Sequence, residues 1–184
     1  YHGSLRARDA NGKTILNDVN TDDYEQYFAE ATAQWSYMKF PYLKHIGREN
    51  GWNRVGPIAR MNVCDFIPTP LAEEARKAYF AFAGEKMVNG TMFSHWARLI
   101  EMLHCAEEMK VLLHDPQLLG NDLERKGVAR SKGIGIIEAP RGTLTHHYEV
   151  DDKGMITRCN LIVSTTHNND AMNHAVKWVA DHVI

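Results

Sequence analysis

The chain has 184 residues, of which 44% are hydrophobic and 24% charged, with a net charge of −2. That is enough apolar material for a folded core and too much for a disordered chain. No apolar run approaches the roughly 18 residues of a membrane helix, and the dispersed basic residues offer no face for nucleic acid. Cys64, Cys105 and Cys159 lie far apart without a C-x-x-C pair, so a disulfide framework is excluded and a reducing, cytoplasmic setting is favoured. The first residues carry neither a starting Met nor a signal-peptide pattern, as expected of a segment of a longer chain.

Residues 1–20 are polar, with turn signals at Asp9-Ala10-Asn11-Gly12 and Asn17-Asp18. They predict an irregular or short-stranded start. Tyr24, Phe28, Ala31, Trp35 and Met38 recur at helical spacing and predict a helix over 22–38, opened by Thr21 and the acidic Asp22 and Asp23. The Gly- and Pro-rich stretch 39–69 predicts an ordered irregular crossing. Thr69-Pro70 opens a helix that Gly84 ends. The longest helix is expected at 92–114, with Trp96, Leu99, Leu103, Ala106 and Leu113 on one stripe, Ile100 widening it, and Asp115-Pro116 after its end.

Beyond Gly133 the periodicity turns extended. Gly135–Glu138 and Thr145–Val150 predict strands, Asp151-Asp152-Lys153-Gly154 a hairpin turn, and Met155–Ser164 the return strand. Asn168, Asn169 or Asp170 then caps a last amphipathic helix carrying Met172, Val176, Val179 and Val183. The expectation is one mostly helical α+β segment with a small antiparallel sheet or hairpin near residues 134–164, and no internal domain boundary.

No C-x-x-C or H-E-x-x-H spacing marks a local metal site. Adjacent His146 and His147 point to opposite faces of a strand and cannot easily share an ion. Cys64 is a nucleophile only if a distant His approaches it; the ordinary reading of it, and of Cys105 and Cys159, is a small buried hydrophobe. His95, Arg98 and Glu101 share one side of the long helix, with His104 and Glu108 adjacent, as a polar seam or a solvated face; spacing favours the solvated face. Gly133-x-Gly135 lacks the third glycine of a dinucleotide fingerprint, and no G-x-S-x-G elbow exists. The most unusual feature is Glu138-Ala139-Pro140-Arg141-Gly142, which sets a rigid five-donor cation between Pro and Gly at the end of an apolar strand.

That block, continued by Thr143-Leu144 and by His146-His147, resembles the E-A-P-R-G-x-L-x-H block of nickel–iron hydrogenase large subunits. Val55-Gly56-Pro57-Ile58-Ala59-Arg60-Met61-Asn62 resembles the family's G-P-L-A-R block, and Leu161-Ile162-Val163-Ser164-Thr165-Thr166-His167-Asn168-Asn169 resembles the segment returning to the cofactor. Trp35–Pro41, Cys64-Asp65-Phe66 and His95–Glu101 look like the cytoplasmic NAD-reducing (bidirectional) type. Coenzyme-F420-reducing and related enzymes are the nearest alternative. The related respiratory complex I subunit fits less well, since Thr143 stands where it usually carries an acid.

The resemblance implies part of the large-subunit fold, from the middle of a longer subunit. It also implies a nickel–iron centre with carbon monoxide and cyanide on iron, held by cysteine pairs outside this chain. The three cysteines here do not match those positions, so the chain alone is expected to be inactive. Arg141 matches an Arg over the open side of the metals, where a fixed cation could polarise bound hydrogen or donate to a cyanide. Ser164 matches a hydroxyl donor to the other cyanide, with Thr165 beside it, although Val163 replaces a Pro common in other branches. Ala139 and Pro140 match the apolar wall. The main-chain carbonyl of Asn160 falls where some members contact magnesium, and Glu138 reads as a structural carboxylate paired with an Arg or backbone donors. Hydrogen is the implied substrate. The implied partners are a hydrogenase small subunit with an iron–sulfur cluster, together with diaphorase subunits carrying NAD and FMN. A metal-free truncated fragment acting as a structural or interaction module is the reading from a different class.

Overall fold

The computed structural model describes residues 3–124 and 126–184. The polar start is a short antiparallel hairpin of β1 (Ser4–Arg8) and β2 (Thr14–Asn20). Asp9 forms its turn, accepting the Asn11 and Lys13 N–H groups at 2.9 Å, and Gly12 takes the positive φ. Leu16 and Val19 bury their side chains against Leu43.

The expected helix over 22–38 is overturned. A 3-10 turn at Thr21–Asp23 leads into a single turn, α1 (Tyr24–Tyr27), and the chain then forms a hairpin of β3 (Phe28–Ala33) and β4 (Ser36–Leu43). Register runs from Phe28↔Leu43 to Ala31↔Phe40, closing near Ala33↔Ser36. A helix would have buried Trp35, yet it sits near this turn, 74% exposed, while Phe40 and Leu43 are buried. Cross-strand pairing, with the strand-favouring aromatics Phe28, Tyr37 and Phe40, outweighs the high helix propensity of Ala29, Glu30, Ala31 and Ala33.

The breaker-rich crossing contains one helix the spacing did not predict, α2 (Pro57–Val63), started by Pro57 after Gly56 at φ +97°. α3 (Pro70–Ala83) ends on Gly84 in the left-handed conformation, as expected, and α4 spans Phe93–Leu112. These helices enclose the main core of Met61, Ile67, Ala72, Tyr79, Val88, Ala97 and Ile100. The Tyr79 ring is fully buried, with Phe80, Phe93 and Trp96 edge-on around it. The predicted stripe of α4 is met in part: Trp96, Ile100 and Leu103 pack on the core together with Ala97, whereas Leu99, Ala106 and Leu113 are exposed. Thr69 stands at the start of α3 but does not cap it; its hydroxyl meets His104 Nδ1 at 2.9 Å. The free N–H groups of Leu71 and Ala72 go instead to the Glu107 carboxylate, from α4. Those bonds hold Glu107 below the usual carboxylate range although desolvation opposes it.

The C-terminal third holds a three-stranded antiparallel sheet in the order β5 (Lys132–Ala139), β6 (Gly142–Val150), β7 (Ile156–Ile162). Asp151 builds the second turn, accepting from Lys153 and Met155, with Gly154 at positive φ. One turn, α5 (Ser164–His167), precedes α6 (Asn169–His182). The three expected caps of α6 each hold another element: Asn168 bonds Val55, Asn169 the Lys39 carbonyl, and Asp170 pairs with Arg48. The class is α+β as expected, but the strands make three small antiparallel sheets. No helix among the described residues is long and apolar enough to cross a membrane.

Candidate active site around the Arg141 turn

Ala139 pairs with Gly142, so Pro140 and Arg141 are the two residues of a tight turn joining β5 to β6. Gly142 takes φ +132°, and a Cβ there would lie 2.3 Å from Val55 Cγ2 and 2.8 Å from the Gly56 nitrogen. Gly56 reciprocates, its hypothetical Cβ 2.9 Å from the Arg141 carbonyl oxygen. The two resembling blocks, far apart in the chain, are thus in backbone contact because both carry glycine where they touch.

Arg60, on α2, holds the other side of the turn. Its Nε and Nη2 donate to the two oxygens of Glu101 at 2.6 and 2.8 Å. Nη1 donates to Glu138 at 2.8 Å and to the Ala139 carbonyl at 3.0 Å, and Nη2 reaches the Pro140 carbonyl at 3.1 Å. Burial works against this charge, but the bonds to Glu101 and Glu138 outweigh it and raise the guanidinium pKa further. Glu138 also accepts from the Thr143 hydroxyl, so its structural reading holds. Sequence reasoning gave no role to Arg60 and read Glu101 with a solvated face. His95 and Arg98 are exposed as expected, whereas Glu101 and His104 have partners on neighbouring elements. The available signal was an Arg at the end of the G-P-x-A-R block.

Against this held frame the Arg141 side chain is exposed and, among the described residues, makes no hydrogen bond or ion pair. Ala139 is half-buried, Pro140 exposed and Thr165 exposed. Ser164 is buried beside the turn, its hydroxyl donating to the Gly142 carbonyl at 2.7 Å. A hydroxyl has one proton to give, so in this arrangement Ser164 fastens the turn. Asn168, in the segment that follows, accepts the Val55 N–H at 2.9 Å and reaches the Val55 carbonyl at 3.4 Å.

Asn160 lies in a different cluster. Its side chain donates to the Tyr24 hydroxyl at 3.1 Å and accepts from Lys39 at 3.4 Å, beside an open cavity of about 430 Å³. Fully buried His147 meets the Tyr24 hydroxyl at 3.0 Å, while His146 lies on the other face against Tyr148. Burial raises the Tyr24 pKa, partly offset by Asn160. All three cysteines are exposed, contrary to the buried-hydrophobe reading. Desolvation pushes the Cys64 thiol up, only partly offset by Arg60.

His167 is buried, receiving a bond from Asn53 at Nδ1 (3.2 Å) if that amide nitrogen donates, with the Phe28 ring edge-on. Burial pushes it from 6.5 down to about 4. The folded state therefore resists a proton that the unfolded chain accepts. The neutral His167 is expected to cost no stability above pH 6.5 and to lower it as pH falls towards 4, by up to about 3 kcal/mol. H167Q should flatten the fall in thermal midpoint between about pH 6.5 and 4.5; an unaltered slope would assign it to other groups.

Among the described residues no group of three His, Cys, Asp or Glu could hold a metal ion. What the turn presents is one cation, unpaired among the described residues, on a fixed backbone. That suits the wall of a site whose metal ligands come from elsewhere, and it does not suit a metal cage.

The nickel-dependent hydrogenase family model matches residues 3–178. The chain is 49% identical over 184 residues to the NAD-reducing hydrogenase HoxS subunit beta of Cupriavidus necator, covering 98% of this chain and 38% of that protein. It is 43% identical over 182 residues to an F420-non-reducing hydrogenase (vhu) of Methanococcus voltae, covering 98% and 43%. Among solved structures, an NAD+-reducing NiFe-hydrogenase in the H2-reduced state superposes at TM-score 0.90 and 52% identity, over 96% of this chain and 39% of that one. The Ni-Fe-Se hydrogenase of Desulfomicrobium baculatum, at 21% identity and TM-score 0.51, over 84% and 30%, shares the fold. The chain thus spans about two fifths of the length of the curated relatives and of the NAD+-reducing structure. With a model match along nearly its whole length, the chain belongs to the nickel-dependent hydrogenase family.

Proposed function

We propose that this chain is part of the catalytic large subunit of a cytoplasmic nickel–iron hydrogenase that reversibly oxidises H2 and passes the electrons to NAD+ through partner subunits. The observation that carries the proposal is Arg141: an exposed guanidinium, unpaired among the described residues, on a turn whose backbone is fastened by Arg60, Ser164 and Gly56. The higher identity to NAD-reducing relatives supports NAD+ as acceptor over the F420-non-reducing type.

A nickel–iron centre with carbon monoxide and cyanide on iron would supply the site where H2 is polarised, its thiolate ligands coming from outside this chain. Arg141 would lie over its open side, stabilising charge as it develops and donating to a cyanide. Ala139 and Pro140 would form the apolar wall that keeps water out. Ser164 and Thr165 would offer hydroxyls to the second cyanide, Ser164 by turning its proton from the Gly142 carbonyl. The Asn160 carbonyl would face magnesium. A small subunit with an iron–sulfur cluster would cover one face, and diaphorase subunits would hold NAD and FMN.

The test is H2-driven NAD+ reduction by the assembled enzyme, with nickel and iron measured on the same sample. Activity that requires nickel and NAD+ is expected. A nickel-free assembly, or H2 oxidation whose electrons do not reach NAD+, would overturn the respective half of the proposal.

A further inference from the structure

We infer that Arg60 is the positioning residue for Arg141, setting the geometry of the turn that presents it; this rests on the role proposed for Arg141. A guanidinium has five N–H donors in a rigid plane, and each of the five on Arg60 has an acceptor. Two go to Glu101 as a fork, one to Glu138, one to the Ala139 carbonyl and one to the Pro140 carbonyl. The last two are the main-chain groups immediately before Arg141. The two carboxylates come from different elements, Glu101 from α4 and Glu138 from β5. Arg60 therefore ties the helical core to the strand end that carries the turn. The plane of the guanidinium converts the orientation of the Glu101 fork into the position of two successive carbonyls. Its side chain is only 20% exposed, so water competes poorly for these donors.

Lysine would keep the charge but not the plane. Its three donors cannot hold both carboxylates and two carbonyls in one geometry. The turn would still form, since Gly142 packs against Val55 and Gly56 on its other side, but Arg141 would be displaced. Displacement of a charge-stabilising group by even about 1 Å is expected to cost turnover far more than substrate binding.

The experiment uses the complete protein in the assembled hydrogenase, with R60K, E101Q and R141K in parallel. For each, kcat and KM for H2 are measured per bound nickel, with amide deuterium exchange over residues 139–143. R60K is expected to lower kcat about tenfold or more with KM for H2 unchanged, and to speed exchange at Arg141 and Gly142. E101Q, which keeps the side-chain shape and removes the charged fork, is expected to do the same to a smaller degree; it decides the question if R60K does not assemble. A purely structural role would lower the yield of assembled enzyme and leave kcat per nickel intact. Unchanged kcat per nickel in R60K or, failing its assembly, in E101Q, with R141K impaired, overturns the inference alone. Unchanged kcat in R141K overturns the reading of Arg141 itself.

Discussion

Replacing Arg141 with Lys in the complete, assembled enzyme is expected to lower H2 oxidation by about 10²-fold, the magnitude typical of losing one preorganised donor at a developing charge. The same substitution should move stability by no more than about 0.5 kcal/mol, because the side chain is exposed and unpaired among the described residues. The combination follows from how the turn is built. Every bond that fastens it reaches the backbone or Glu138, and none reaches the Arg141 guanidinium. Lys retains one positive charge but offers a compact, strongly hydrated point where Arg offers a rigid fork. Turnover per nickel and the thermal midpoint, measured on one preparation, check both halves. Full turnover with nickel in place would remove Arg141 from the reaction.

What the sequence revealed of this site depended on whether the chemistry was local. The Arg between Pro and Gly at the end of an apolar strand was visible at once, since all three residue types act on their own backbone. The 142–162 hairpin, with its Asp-Asp-Lys-Gly turn, was equally local. The 22–38 segment was not. Its apolar spacing suits a helix, but the choice was made by the pairing of Phe28–Ala31 with Phe40–Leu43, and periodicity cannot see a partner strand. The partners of Arg60 were hidden for a similar reason. Nothing near residue 60 signals that its acceptors lie on Glu101 and at 138–140. Glu107, which serves the start of α3 from another helix, and Asn168, whose side chain holds Val55 and does not cap α6, are likewise choices that only tertiary placement makes.

The largest stability effect is expected at Gly142. Gly154, also at positive φ, has open space where a Cβ would go, so G154A should cost only the conformational preference, about 1 kcal/mol. At Gly142 the same methyl group would sit 2.3 Å from Val55 Cγ2, and 2.8 Å from both Val55 Cβ and the Gly56 nitrogen. The side-chain methyl could rotate away; the backbone nitrogen cannot move without shifting the start of α2, which also carries Arg60. Backbone strain of about 1–3 kcal/mol therefore adds to a displacement of two packed elements, and G142A should cost about 3 kcal/mol or more. The comparison of thermal midpoints between G142A and G154A reads this difference directly. Combining V55A with G142A removes the Cγ2 contact and leaves the Cβ and Gly56 contacts. Less than half of the loss should therefore return, and a full recovery would place the constraint in the Val55 side chain. Equal midpoints for the two glycine variants would mean that the turn and the start of α2 are not held in contact. The frame that presents Arg141 would then have to be sought on the Arg60 side alone.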